Sequence, residues 1–118
     1  MAIKEDLIFH LVPKKKWHNN QRYGLYRPDL KDEEGFIHCS TADQVEDTAN
    51  RFFKDQNNIL LIVINYGKIQ SDVKMEDTEG SGQEYPHIYG PLNMDAILDK
   101  IKLQSDEDGL FQIDFTSK

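Results

Sequence analysis

Residues 35–53 read GFIHCSTADQVEDTANRFF, and the fold turns on where this stretch passes from strand to helix. "FIHCS" mixes aromatic, β-branched and small residues in alternation with polar ones, so it reads as a short strand. Successive side chains of an extended chain point to opposite faces. Phe36, His38 and Ser40 then share one face, and Ile37 and Cys39 share the other. Thr41 followed three residues later by Gln44 is a capping-box signature. Val45, Ala49, Phe52 and Phe53 recur at i, i+4, i+7 and i+8, which makes one apolar helix face.

That assignment bears directly on chemistry. His38 and Cys39 are adjacent and invite reading as a nucleophile with its base. Opposite faces put them beyond the hydrogen-bond reach such a pair requires. Cys39 sides with Ile37 and is expected to be a small buried apolar residue. It is the one cysteine of 118 residues, so a reducing compartment, the cytoplasm, is expected. Neither C-x-x-C nor H-x-x-x-H spacing occurs, and no metal is expected. A serine hydrolase is disfavoured as well. There is no G-x-S-x-G elbow, and a helix start already explains the hydroxyls of Ser40 and Thr41.

Outward from this stretch, "LIFHLV" (7–12) is apolar and ends at Pro13, which predicts a buried strand. "KKKWHNNQRYG" (14–24) predicts a short helix closed by Gly24, and "LYRPDLKDEEG" (25–35) a polar connection. "NNILLIVINYGKI" (57–69) predicts a central strand, "VKMED" (73–77) a weaker one, and "TEGSGQ" (78–83) a loop. Pro86 and Pro91 bias "YPHIYGPL" (85–92) towards extended backbone. "NMDAILDKIKL" (93–103) reads as a helix capped by Asn93, and "GLFQIDF" (109–115) as a last strand. Strands outnumber helices without regular alternation. That pattern predicts an α+β fold, with residues 1–118 as a single domain.

The formal net charge of −7 argues against a generic nucleic-acid surface, so no DNA partner is expected. The longest apolar run, Ile59 to Ile64, is far short of the roughly 20 residues that span a membrane. The first residues, MAIKEDLIFHLV, do not resemble a secretory leader. Lys14, Lys15 and Lys16 are either a solvated helix start or a phosphate-facing patch. Asp43, Glu46 and Asp47 are either a solvated helix face or a partner surface. Of the four histidines, His10, His38 and His87 lie in or beside apolar strand-like runs. A buried histidine must satisfy two ring nitrogens. Each is therefore either a core histidine bonded to a carbonyl or one wall of a shared pocket.

"IFHLV", Trp17, "GFIHCSTADQVEDTANRFF", "ILLIVIN", "MED" and "YPHIYGPLNMDAIL" occur in that order over nearly the whole chain. This resembles the domain-of-unknown-function 952 family of small bacterial proteins, with "GFIHCS" and "PHIYGPLN" the most specific pair. The resemblance implies a fold similar to the ADP-ribosyltransferase superfamily, with a split β core and flanking helices. Its nearest likeness is the RNA 2′-phosphotransferase-like branch. His10 matches a histidine that holds the nicotinamide ribose in that superfamily, and Gly24-Leu25 matches a Gly-Leu pair after its first helix. "IHCS" resembles a His-apolar-Ser pattern that carries a second histidine, here His38. Two positions depart from the pattern. Leu11 stands where the transferases have glycine, and Glu76 and Glu84 lie only near the seat of their late glutamate.

By that resemblance His10, His38, Glu76 and His87 are candidate catalytic residues. Ser40, Arg22, Tyr89 and Glu84 are candidate ligand-binding residues, and Lys14 to Lys16, Arg22 or Arg27 would meet phosphates. No cofactor is implied, and NAD or another small nucleotide-like molecule would be the substrate. Three readings stay open: an ADP-ribose-transferring enzyme, a non-catalytic ligand-binding module on the same fold, and a protein-interaction role. Leu11 and the displaced glutamates favour the second.

Overall fold

Six successive apolar residues, Ile59 to Ile64, leave β5 (Ile59–Asn65) no polar face, and all six are buried. A strand of this kind must be covered on both faces and paired on both edges. The computed structural model, which describes residues 6–27 and 35–113, meets both demands. β1 (Leu7–Pro13) and β9 (Ile97–Leu103) flank β5, antiparallel, in the order β1-β5-β9. On one side Phe9, Leu11, Leu61 and Val63 pack against Val45 and Ala49 of α2 (Val45–Phe52) and against Phe111. On the other, Ile8, Val12, Ile62 and Ile64 pack with Trp17, Tyr26, Ile37, Cys39 and Ile88.

Those second-layer residues come from two further antiparallel sheets. α1 (Lys14–Asn19) follows β1 and leads into a hairpin of β2 (Gln21–Arg22) and β3 (Leu25–Tyr26), and β3 pairs with β8 (Leu92–Asn93). β4 (Ile37–His38), β7 (Tyr85–Tyr89) and β6 (Asp72–Glu76) form the third sheet, in the order β4-β7-β6. With two α-helices and antiparallel sheets among the described residues, the architecture is α+β. No helix among them is long and apolar enough to cross a membrane.

The expected strands at 7–12, 57–69, 73–77 and 85–92 are present, and Ile37 and Cys39 face the core as alternation requires. Four expectations need correction. First, residues 93–103 are not a helix: a 3-10 turn (Met94–Ala96) leads into β9. "ILDKIKL" fits both periods, and the unpaired edge of β5 decides for strand, with Leu98 an extra residue opposite Val63 and Ile64. Asn93 caps no helix; its amide bonds the Lys68 carbonyl, the Gln70 N–H and the Asp95 carboxylate.

Second, α1 ends at Asn19, and Gly24 belongs to a hairpin turn, so Leu25 and Tyr26 are strand and not connection. Residues 28–34 of that connection lie outside the described residues. Third, α2 ends at Phe52, which is 47% exposed, while Thr48 fills the buried face. Its start keeps half of the capping box: the Gln44 side chain accepts from the Thr41 N–H at 3.0 Å. Fourth, residues 109–113 are not strand, and Asp114 and Phe115 lie outside the described residues. The segment is held to α2 instead. The Asn50 amide bonds both the N–H and the carbonyl of Phe111, and Glu46 accepts from the Ile113 N–H.

Among the described residues, the hairpin tip is the one place where a bulky residue sits in the left-handed region against its preference. Tyr23 has φ 54° and Gly24 has φ 75°. Positive φ at both central residues is a type I′ turn, in which Asn-Gly is the favoured pair. Tyr23 is also 100% exposed, so its ring gains no burial in exchange for the strain. Tyr23→Asn is expected to raise the thermal midpoint by about 3–6 °C, as roughly 1 kcal/mol does for a domain of this size. Calorimetry checks this, and an unchanged or lower midpoint contradicts the strain.

Candidate functional site

The first and third sheets meet at one seam. Phe9 N–H donates to the Ser40 carbonyl at 2.8 Å, and Ser40 N–H returns to the Phe9 carbonyl at 2.7 Å. Beside this bridge the imidazole of His10, on β1, bonds the His38 carbonyl through Nδ1 at 2.8 Å. A carbonyl can only accept, so Nδ1 carries the proton and Nε2 of the neutral ring accepts. The Tyr26 hydroxyl, 3.1 Å away, donates to it. Both ring nitrogens are thus engaged within the fold.

A cavity of about 360 Å³ opens above the seam. His10, Leu11, Tyr26, Phe36, His38 and Ser40 are among the residues that line it. Lys16 and Asn20 come to it from α1 and its end, Thr48, Phe52 and Phe53 from α2 and its end, and Thr78 and Glu79 from the loop before β7. Phe36, His38 and Ser40 therefore do share the face that alternation assigns them. The Ser40 hydroxyl donates to Thr48 Oγ1 at 3.2 Å.

His87 and Glu76 form a cluster beside this wall, on the same face of the third sheet. His87 pairs across the sheet with His38, their rings 5.1 Å apart, and Phe36 stacks on His87 at 3.9 Å and 15°. The carboxylate of Glu76 accepts from His87 Nδ1 at 3.0 Å and from the Tyr89 hydroxyl at 2.5 Å. Those two bonds, Tyr89 first, hold the Glu76 carboxyl below its usual pKa, and the same bond raises that of Tyr89. His87, Glu76 and Tyr89 are not among the cavity-lining residues.

Arg22 and Glu84 are exposed and do not line the cavity either; the Glu84 backbone carbonyl receives the Gln44 side chain. The carboxylate that does line it is Glu79, ion-paired with Arg51 at 3.5 Å. Nothing local in "TEGSGQ" marks Glu79, because a loop carries no periodicity. Tyr26 escaped notice for a related reason, since two-residue strands are too short to show alternation. Among the described residues no group of three or more His, Cys, Asp or Glu side chains is placed to hold a metal.

The sequence profile of the family described as "Protein of unknown function (DUF952)" matches residues 11–100. The chain belongs to that family. It is similar to protein CC0527 from Caulobacter crescentus, with an X-ray structure 29% identical at a TM-score of 0.78, covering 90% of this chain and 93% of that one. The solution NMR structure of the same protein is 30% identical at a TM-score of 0.76, covering 90% and 91%. No curated protein matches the chain. The motifs "GFIHCS" and "PHIYGPLN" of this family member supply β4, most of β7, β8 and the cavity-lining Phe36, His38 and Ser40.

Burial lowers the pKa of His10 from 6.5 to about 4. Its bond to the His38 carbonyl acts the other way, while His38 and Lys16 add to the lowering. The unfolded chain therefore takes up a proton near pH 6.5 that the folded chain refuses until about pH 4, so stability falls as pH drops through that window. The loss is about 3 kcal/mol between pH 7 and pH 4. His10→Gln removes the titration, and its urea midpoint is expected to show a correspondingly shallower pH slope. Equal slopes for the two proteins would reject a buried neutral His10.

Cys39 is 1% exposed, and burial pushes its thiol pKa up. The thiolate is the reactive form. At pH 8 iodoacetamide is expected to label the urea-unfolded chain at least roughly 100-fold faster than the folded one, read by mass. Comparable rates would mean an accessible Cys39.

Proposed function

We propose that the cavity above the seam binds one end of a small nucleotide-like molecule, such as NAD or an ADP-ribose-like phosphorylated ligand. The observation that carries this reading is the cavity's make-up: His10, Phe36, His38 and Lys16 line about 360 Å³. Ligand sites run from about 300 to 1,000 Å³ and combine apolar walls with a few polar groups. This one is at the small end, so it suits a single nucleoside end better than a whole dinucleotide. The ADP-ribosyltransferase resemblance implies the same ligand class. The lone buried thiol fits a reducing compartment, the cytoplasm.

Binding without turnover is the form the geometry favours. Both ring nitrogens of His10 are already engaged, so the ring is built to hold the floor of the site rather than to exchange protons. Leu11, in place of the transferases' glycine, itself lines the cavity and narrows it. Transfer of ADP-ribose is the second reading, supported by Glu79, a cavity carboxylate that a ribose hydroxyl could meet.

Isothermal titration with NAD, ADP-ribose and a 2′-phosphorylated RNA end tests both. At least one is expected to give heat, and His38→Ala to weaken it roughly ten-fold, the loss of about one hydrogen bond or stacking contact. No heat from any of them at millimolar ligand rejects the nucleotide reading. Nicotinamide release from NAD selects transfer over binding.

A further inference from the structure

The chain carries a net charge of −7, yet no Asp or Glu occurs between Leu7 and Pro28. Lys14, Lys15, Lys16, Arg22 and Arg27 all fall in that span, and all are exposed. α1 and the β2–β3 hairpin hold them in one unit. Trp17 packs on Tyr26 with ring centroids 4.5 Å apart, the Gln21 amide donates to the Trp17 carbonyl at 2.9 Å, and Arg27 N–H donates to the Asn20 carbonyl at 2.8 Å. The unit also reaches the cavity, since Lys16, Asn20 and Tyr26 line it. At its tip stands Tyr23, 100% exposed on a left-handed backbone that asparagine would adopt with less strain. A strained, fully solvated aromatic ring beside exposed cations points to a ligand with flat faces and negative charge.

We infer that this unit binds the end of a single-stranded nucleic acid. The terminal nucleotide enters the cavity, a neighbouring base stacks on Tyr23, and phosphates lie along the exposed lysines and arginines. This rests on the reading of the cavity as a nucleotide site. Single strands are held by this combination of aromatic platform and cationic track. A duplex is a poorer match, because its base faces are buried in the stack. Tyr23 stands three positions before cavity-lining Tyr26, at most about 10 Å along the chain, so the strand needed is short. The acidic balance of the remaining chain disfavours a long footprint.

Fluorescence anisotropy with end-labelled tetranucleotides of uridine and of deoxythymidine tests the inference, with uridine monophosphate as competitor. The tetranucleotide is expected to bind at least roughly ten-fold tighter than the monophosphate, by one stacked base and added phosphates. The slope of log affinity against log salt is expected near −2, about −0.7 for each of three phosphates. Tyr23→Asn, which suits the turn, should weaken binding by roughly 5- to 100-fold, whereas Tyr23→Phe should keep it. Equal affinity for the two sugars supports a platform that reads base and phosphate; a preference supports it and names the source.

A tetranucleotide no tighter than the monophosphate, or an indifferent Tyr23→Asn, overturns the inference and leaves the cavity reading intact. Tyr23-dependent binding that the monophosphate does not compete overturns the cavity reading, and with it the seat of the terminal nucleotide. Sedimentation with anionic phosphatidylglycerol vesicles in place of oligonucleotide binding would assign the unit to a membrane surface and also overturn it.

Discussion

Three hydrogen bonds at one seam hold the candidate site together. Phe9 and Ser40 exchange two through their backbones, and His10 gives the third to the His38 carbonyl. β4 is only Ile37–His38, too short to hold its place by its own ladder. Its neighbour β7 aligns it from one side and β1 pins it from the other, through the isolated bridge at Phe9 and Ser40. The polar face Phe36–His38–Ser40 can then point into a cavity only because Ile37 and Cys39 are drawn into the core on the other side. Hydrophobic burial and the seam are thus coupled: the core fixes the face, and the seam fixes the position along it.

This coupling sets the chemistry of His10. Its proton is committed to a carbonyl and its lone pair to a tyrosine hydroxyl, in a setting that opposes charge. A histidine poised for acid–base work sits near neutral pKa with one nitrogen turned to the substrate. His10 has neither property, which makes it a structural floor under any ligand. His38 differs: its backbone carbonyl serves the seam while its ring lines the cavity between Tyr85 and His87. One residue thus joins fold and site, with different atoms for each.

How much of this was legible in sequence follows from the range of the forces. Alternation is local, so the split of His38 from Cys39 could be read from five residues and is found in the fold. β5 was equally plain, since only a strand buried on both faces tolerates so long an apolar run. The segment 97–103 was not, because "ILDKIKL" satisfies either period and a tertiary demand, the open edge of β5, chose between them. The site divides the same way. His10 and His38 are on strands, Ser40 follows in the same extended stretch, and the three line the cavity together, whereas Glu79 reaches it from a loop held by Arg51, a contact across 28 residues. Glu76 and His87, singled out with them, bond each other beside the cavity and are not among its lining residues.

Their place against Phe36 and His38 gives that cluster a supporting part. A cavity wall one strand thick would let Phe36 and His38 move, and a floor that moves cannot select a flat ligand. Glu76 accepts hydrogen bonds from both His87 and Tyr89, which ties together side chains of β6 and the middle strand on the face that also carries Phe36. Phe36 lies flat on His87 and so inherits that rigidity. The polar residues of β6 and β7 therefore act on the cavity through Phe36 and His38, and the aromatic wall is braced by one half-buried carboxylate with its histidine and tyrosine partners.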